Sequence, residues 1–260
     1  MGIFIGTSTE NQKEISIGAS QIGEVYVGSD LVWKKSSSNT WDSPAWNYSE
    51  GMQGLDTYGF NLLPYGRVSY GGIQETPDTT AFIPGRISAS VTLFFNLWCS
   101  SHNGYISTGY RTVDNQYNYE IRAVRDYSIT RDGAQINGKI IPNAYTDIDG
   151  NMYDGTIIGD RVWTTSGLKT SRYSDGTAIP ITTTGSGRWE LDYSSGFHVT
   201  FYGDIVLIGG ADGSRDLVSA TDGWRTPLIG DLTSLKASFD AIEGSAHGTR
   251  HIKSTRVKQA

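Results

Sequence analysis

Residues 87–98, Ile87-Ser88-Ala89-Ser90-Val91-Thr92-Leu93-Phe94-Phe95-Asn96-Leu97-Trp98, mix β-branched and aromatic side chains and carry no charge. Such a run predicts a buried strand, because branched and aromatic groups pack well on a pleated surface and nothing in it asks for water. Further on, Tyr119-Glu120-Ile121-Arg122-Ala123-Val124-Arg125 alternates apolar and polar positions as a half-exposed strand does. Both read as strands of an antiparallel sheet.

The surrounding sequence agrees. The chain of 260 residues holds 32 glycines, 12% aromatic residues led by 15 tyrosines, and only 18% charged residues, a balance that favours β-structure rich in turns. One helix stands out, at Asp231-Leu232-Thr233-Ser234-Leu235-Lys236-Ala237-Ser238-Phe239, where Leu232, Leu235 and Phe239 fall at i, i+3 and i+7. Asp231 is the expected N-cap, with Gly230 closing the loop before it. The fold class that follows is α+β and β-rich, and the length suffices for a sizeable core.

Formal net charge is −6 and the chain shows no basic excess, no heptads and no long apolar run, so nucleic-acid binding, a coiled coil and membrane insertion are not expected. The start, MGIFIGTSTENQ, lacks the basic and apolar regions of a secretory signal, and Gly6 stands where a myristoylation motif needs Ser or Thr. A chain made soluble in the cytoplasm is expected. The single cysteine, Cys99, excludes an intrachain disulfide, and its apolar flank places it in the core.

A module boundary is expected at Lys34-Lys35-Ser36-Ser37-Ser38-Asn39, dividing residues 1–35 from residues 36–260. Before it, residues 14–34 alternate apolar and polar positions around Gly18, Gly23 and Gly28, which predicts two or three short strands joined by tight turns. About 35 residues rarely sustain their own core, so this β module is expected to dock, either on the rest of the chain or on a partner.

Few residues suggest catalysis. The chain has no G-x-S-x-G elbow, P-loop, H-E-x-x-H or G-x-G-x-x-G pattern. Ser100-Ser101-His102 sets a hydroxyl beside an imidazole, but neighbours on a strand point to opposite faces. His247 and His251 stand four apart, yet Gly244 and Gly248 weaken a helix there, and a solvent-facing loop is the expectation. Asp147-Ile148-Asp149-Gly150-Asn151 departs from an EF-hand loop in its glycine position and lacks the bidentate Glu; a turn held by side-chain-to-backbone bonds is expected instead. No enzyme activity, cofactor or metal is expected.

Several segments together resemble the Fibrobacter succinogenes major paralogous domain, common in Bacteroidetes proteins. They are Asp149-Gly150-Asn151-Met152-Tyr153, Ile158-Gly159-Asp160-Arg161-Val162-Trp163, Gly167-Leu168-Lys169-Thr170, Tyr173-Ser174-Asp175-Gly176, Gly223-Trp224-Arg225-Thr226-Pro227 and Ile252-Lys253-Ser254-Thr255. Earlier stand Gly59-Phe60-Asn61-Leu62-Leu63-Pro64-Tyr65-Gly66, Trp98-Cys99-Ser100-Ser101 and Val124-Arg125-Asp126. The resemblance implies a C-type-lectin-like domain with long Gly-rich loops and buried tryptophans, for which Trp98, Trp163 and Trp224 are the candidates. The order departs from the family: its closing half lies at 40–126 and its opening half at 147–260. A circular permutation, with Tyr127 to Thr146 joining the old termini, accounts for this; exchange of halves between chains is the alternative. The calcium-lectin triplets EPN, QPD and WND are absent, and so is the cysteine pair of the related formylglycine-generating enzymes.

Ile17-Gly18 through Ile22-Gly23-Glu24-Val25-Tyr26-Val27-Gly28-Ser29-Asp30-Leu31-Val32-Trp33 is similar to a short motif at the ends of many phage virion proteins. The similarity implies a docking role for Ile17, Ile22, Val25, Tyr26, Val27, Val32 and Trp33. Taken together, the two resemblances imply a virion protein of a crAss-like Bacteroidetes phage, a head fibre or capsid decoration on the virion surface that docks on the capsid or neighbouring fibre proteins. A tail-associated receptor binder or a bacterial surface glycan-binding module is the competing expectation. A homo-oligomer, dimer or trimer, is expected.

Tyr, Trp, Asn and Ser grip sugars and epitopes with little entropic loss. Trp41, Trp46, Tyr48, Tyr105, Tyr110, Tyr117 and Tyr119 lie in Gly/Asn-rich, loop-like sequence and are the candidates for a face that binds a host cell-surface glycan, or for protomer packing.

Overall fold

A computed structural model describes residues 45–47, 54–69, 72–87, 93–101, 106–114, 116–182, 184–193, 198–210, 213–243 and 248–254, with the strand backbones at 16–17, 20–21, 24–27 and 30–34. The N-terminal strands are β1 (Ser16–Ile17), β2 (Ser20–Gln21), β3 (Glu24–Val27) and β4 (Asp30–Lys34). They form two antiparallel hairpins, β1 with β2 and β3 with β4, the second with a register shift between Val25 and Tyr26.

Next come β5 (Arg67–Ser69), β6 (Ile73–Glu75), β7 (Thr80–Arg86), β8 (Leu93–Ser100), β9 (Ser107–Thr112), β10 (Tyr117–Tyr119) and β11 (Val124–Asp126). A short helix α1 (Ile129–Asp132) precedes β12 (Ile140–Thr146), β13 (Met152–Ile158), β14 (Arg161–Thr164), β15 (Arg188–Asp192) and β16 (His198–Gly203). The helices α2 (Asp204–Leu207), α3 (Ile229–Glu243) and α4 (Gly248–Ile252) complete the described chain. Three antiparallel sheets result, ordered β15-β16-β10-β5-β6, β11-β14-β13-β12 and β7-β8-β9. The fold is β-rich α+β.

The central strand β8 explains the uncharged run in the sequence. Phe95, Leu97 and Cys99 face a core with Trp46, Phe60, Trp163, Leu235 and Phe239, whereas Phe94 on the opposite face joins a second core with Tyr119, Ile121 and Tyr202. A strand covered on both faces has no polar side to alternate with. The strand begins at Leu93, however, and Ile87 follows the end of β7; residues 88–92 lie outside the described residues.

The half-exposed strand expected over 119–125 is corrected by the structure. The chain forms β10, a buried link and then β11, and Tyr119 through Arg125 are each at most 4% exposed. The polar members tolerate burial because they are paired: Glu120 lies 3.3 Å from Arg122, and Arg125 is bound to Asp132. Arg122 also donates to the carbonyls of Phe60, Asn61 and Thr164, tying two loops to β14.

Helix α3 buries Leu232, Leu235 and Phe239 as their spacing predicts, but it starts two residues before Asp231. Asp231 is therefore not the N-cap: from the first turn its Oδ2 accepts the N–H of Leu228 at 2.9 Å, the reciprocal half of a capping box. Gly230 lies inside the helix. Trp163 and Trp224 are core residues, but Trp98 is only half-buried, because it lies near the end of β8 under an exposed arginine.

The segments singled out in the sequence meet in space. Val124-Arg125-Asp126 pairs with Trp163-Val162-Arg161, and Val124 also bridges to Arg225. Leu62 bridges to Lys253, and β10 from the first half lies between β5 and β16. Strands from both halves thus share two sheets within one chain, and the joining segment 127–146 supplies α1 and the edge strand β12.

Candidate functional site

The alternation of β10 puts Tyr117 and Tyr119 on one face, with Asn118 on the other. Beside them, Arg67 of β5, Tyr110, Arg111 and Thr112 at the end of β9, and Asp114 close a surface recess of about 240 Å³. The Arg67 guanidinium lies 3.7 Å from the centroid of the Tyr117 ring and 5.7 Å from that of Phe82. Its Nε and Nη2 both reach Glu75 Oε2, at 3.0 and 2.9 Å, because Arg67 and Glu75 are direct partners across β5 and β6. The cation at the floor of the recess is therefore held in place and neutralised.

Tyr119 is 2% exposed and packs its ring against Phe82 and Phe94, with centroids at 5.8 and 5.5 Å. Burial pushes its phenol up to about 12, against the opposing effect of the Arg67 charge and hydrogen bond. The rim is different in character. Tyr110 is 62% exposed with its ring edge-on to Phe95, and Arg111 is exposed with its guanidinium 5.5 Å from the Trp98 ring centroid. Asp114 is fixed by two bonds: its N–H donates to Asp204 Oδ2 at 2.8 Å, and its Oδ1 accepts the N–H of Gln116 at 3.1 Å. An immobilised recess lined by phenols, guanidinium groups and a carboxylate can bind a polar ligand that is part flat surface and part hydrogen-bonding edge.

Of the candidates read from the sequence, Tyr117 and Tyr119 face the recess, with Tyr119 buried behind Tyr117; Tyr110 reaches its edge, but its ring packs against Phe95 on the other face of the sheet. Trp46 is corrected: it is 0% exposed, its Nε1 donates to Leu62 O at 2.9 Å, and Lys253 Nζ lies 4.9 Å from its ring centroid. Its loop-like neighbourhood hides a core residue, because the segment around it runs into the core of Phe60, Trp163 and Phe239. Trp41, Tyr48 and Tyr105 lie outside the described residues. Among the N-terminal candidates, Ile17, Val25, Tyr26, Val27, Val32 and Trp33 fall on the hairpin strands, with Val25 opposite Trp33, and Ile22 lies outside the described residues.

Arg67, Arg111 and Asp114 escaped the sequence reading, which weighed aromatic residues alone. The signal present was the adjacency of Tyr110 to Arg111 and the alternation of Arg67-Val68-Ser69.

A second, smaller cavity of about 110 Å³ lies among Leu63, Glu120, Arg122, Lys169 and His198. Burial raises the Glu120 carboxyl, with the Arg122 charge opposing. This pair fastens Gly167 and the Phe60 loop and reads as architecture.

The remaining motifs are structural too. Asp147 closes the turn between β12 and β13: Oδ1 accepts the N–H groups of Asp149 and Asn151 at 3.0 and 2.9 Å, and Oδ2 accepts the Asn151 amide and the Tyr153 hydroxyl. The solvent-facing loop expected at His251 is corrected, since His251 is 4% exposed on α4 with Nδ1 2.6 Å from Thr57 Oγ1; His247 lies outside the described residues. Among the described residues no cluster of His, Cys, Asp and Glu is arranged to hold a metal, and no helix is long and apolar enough to cross a membrane. No family model, curated protein or solved structure matches the chain.

Proposed function

We propose that the chain is a structural protein of a phage particle, a head fibre or capsid decoration. In this reading residues 1–35 dock on the capsid or a neighbouring fibre protein, and the larger unit is displayed on the virion surface as a C-type-lectin-like head. The observation that carries the reading is the convergence of segments out of order in the sequence: Val124-Arg125-Asp126 lies against both Arg161-Val162-Trp163 and Arg225. That convergence supports one permuted lectin-like unit completed within a single chain. The two hairpins ahead of it match the short strands that the docking motif calls for. The recess at Tyr110, Tyr117 and Arg111 supports a binding role for the displayed head, toward a host cell-surface glycan. It also favours the second reading, a tail-associated receptor binder. Neither reading assigns a reaction or a cofactor.

Immunogold labelling of purified particles with antibody to residues 147–260 tests the proposal. Label on heads is expected; label at the tail tip selects the second reading, and unlabelled particles overturn both. Deleting residues 1–35 is expected to abolish incorporation while the remaining chain keeps its cooperative melt, and loss of that melt would refute the docking role.

A further inference from the structure

We infer that the recess takes a carboxylate-bearing sugar, a uronate or similar acidic unit of a surface polysaccharide, with Arg111 as the residue that reads the acid. The inference rests on the reading of the recess as the glycan face of the displayed head and names the ligand's chemistry.

The argument begins with how charge is distributed around the recess. The exposed Asp114 is positioned by the Gln116 N–H and stays an acceptor, and Arg67 is neutralised by Glu75, so the Arg67 charge already serves a wall. Arg111 does not. Its guanidinium packs over the Trp98 ring, and it forms no ion pair among the described residues. A guanidinium held against an aromatic face keeps its edge of N–H donors open, and that edge matches a carboxylate with two parallel bonds. Stacking on Trp98 also restricts the side chain before any ligand arrives, which lowers the entropy lost on binding.

The rest of the recess suits the sugar that carries the acid. Asp114 offers acceptor oxygens for ring hydroxyls from a position fixed by Asp204, and the Tyr117 ring supplies aromatic surface on the wall. An opening of about 240 Å³ admits one or two sugar units rather than a long stretch of chain. A free carboxylic acid would satisfy Arg111 alone and would leave the other groups unused.

Calorimetric titration of the full chain with a tetragalacturonate, its carboxyl-reduced neutral counterpart and free acetate tests this. The expected result is that the tetragalacturonate binds about tenfold or more tightly than the neutral tetramer and that acetate does not compete with it at equal concentration. Arg111→Gln, a change at an exposed side chain, is expected to remove the preference and bring the acidic tetramer down to the level of the neutral one. Salt raised from about 0.05 to about 0.5 M is expected to weaken only the acidic ligand. Equal affinities for the two tetramers, or an unchanged acid preference in Arg111→Gln, would overturn the inference while the glycan reading of the recess stands. Effective competition by acetate would reassign the site to free carboxylates. Binding of neither tetramer would overturn the inference and the glycan reading together, and particle labelling would still decide the virion reading separately.

Discussion

Arg125 holds Asp132 through two parallel hydrogen bonds, Nη1 to Oδ2 at 2.7 Å and Nη2 to Oδ1 at 2.6 Å, with both side chains at most 3% exposed. The pair anchors α1, and with it the start of the segment 127–146, to strand β11. Burial alone would raise the Asp132 carboxyl; the Arg125 hydrogen bonds, the Ser128 N–H and the charges of Arg125 and Arg131 outweigh it and hold the carboxyl below its ordinary value. A depressed carboxyl contributes stability that is complete above its unfolded value near 3.8 and is lost as pH falls through the folded value. Acid unfolding should therefore steepen below about pH 4. Asp132→Asn strands a buried guanidinium and should cost about 3–5 kcal/mol at pH 7 in urea unfolding, with a flatter acid limb. A loss under about 1 kcal/mol would contradict this account.

The turn after β12 gives the second prediction. The Tyr153 hydroxyl donates to Asp147 Oδ2 at 2.7 Å and accepts the Lys169 N–H at 2.8 Å, so one phenol links the turn to the loop after β14. Tyr153→Phe keeps the ring in the core and removes both bonds, leaving Asp147 Oδ2 with the Asn151 amide alone and the Lys169 N–H short of a partner. Equilibrium unfolding should show a loss of about 1.5–3 kcal/mol. Hydrogen exchange at the Lys169 amide should rise at the same time.

The Asp147 turn was legible in the sequence because Asp and Asn form such turns locally, within five residues. Helix α3 was legible for a similar reason: its apolar spacing needs no knowledge of the rest of the chain. What escaped depends on distant partners. Trp46 looked like a loop aromatic because its acceptor, Leu62 O, lies 16 residues away, and Arg122 and Arg125 looked solvent-facing because their carboxylate and carbonyl partners fold over them. Of the recess, three tyrosines were foreseen, but their convergence depends on the pairing of β10 with β5, which no local pattern encodes.

Two glycines in the left-handed region separate backbone strain from collision. Gly66, at φ +65°, would place a Cβ 2.0 Å from the Glu75 carbonyl oxygen, whereas Gly150, at φ +84°, has nothing within 4 Å. Gly150→Ala should cost about 1–2 kcal/mol, the conformational penalty alone. Gly66→Ala adds a clash with the backbone of β6 and should cost distinctly more. Because β6 carries Glu75, the change should also loosen Arg67 and weaken the binding proposed for the recess. Thermal melts of the two variants side by side check the order; equal losses would place the strain of Gly66 in its dihedral angles alone.

Lys253 and Cys99 set the alkaline behaviour. Lys253 is fully buried, with Nζ donating to Ser100 O at 2.5 Å, and burial lowers its ammonium to about 8 from 10.5 despite the opposing influence of Cys99. Burial pushes the Cys99 thiol up to about 12 from 9.0. Above pH 8 the folded chain has released the lysine proton that the unfolded chain still holds, so stability should rise by about 1.4 kcal/mol per pH unit from this group. Above pH 9 the unfolded thiol ionises and the folded one does not, which reverses the sign for Cys99 and cancels the gain. Beyond pH 10 the buried phenols of Tyr119, Tyr145 and Tyr193, each raised to about 12 by burial, pull stability down. Urea midpoints should thus climb from pH 8 to 9, level off, and fall above 10. Cys99→Ala should extend the climb toward pH 10, and Lys253→Met should abolish it while leaving stability at pH 7 the same or higher, since a buried charge is replaced by apolar volume. A climb that persists in Lys253→Met would assign it to another group.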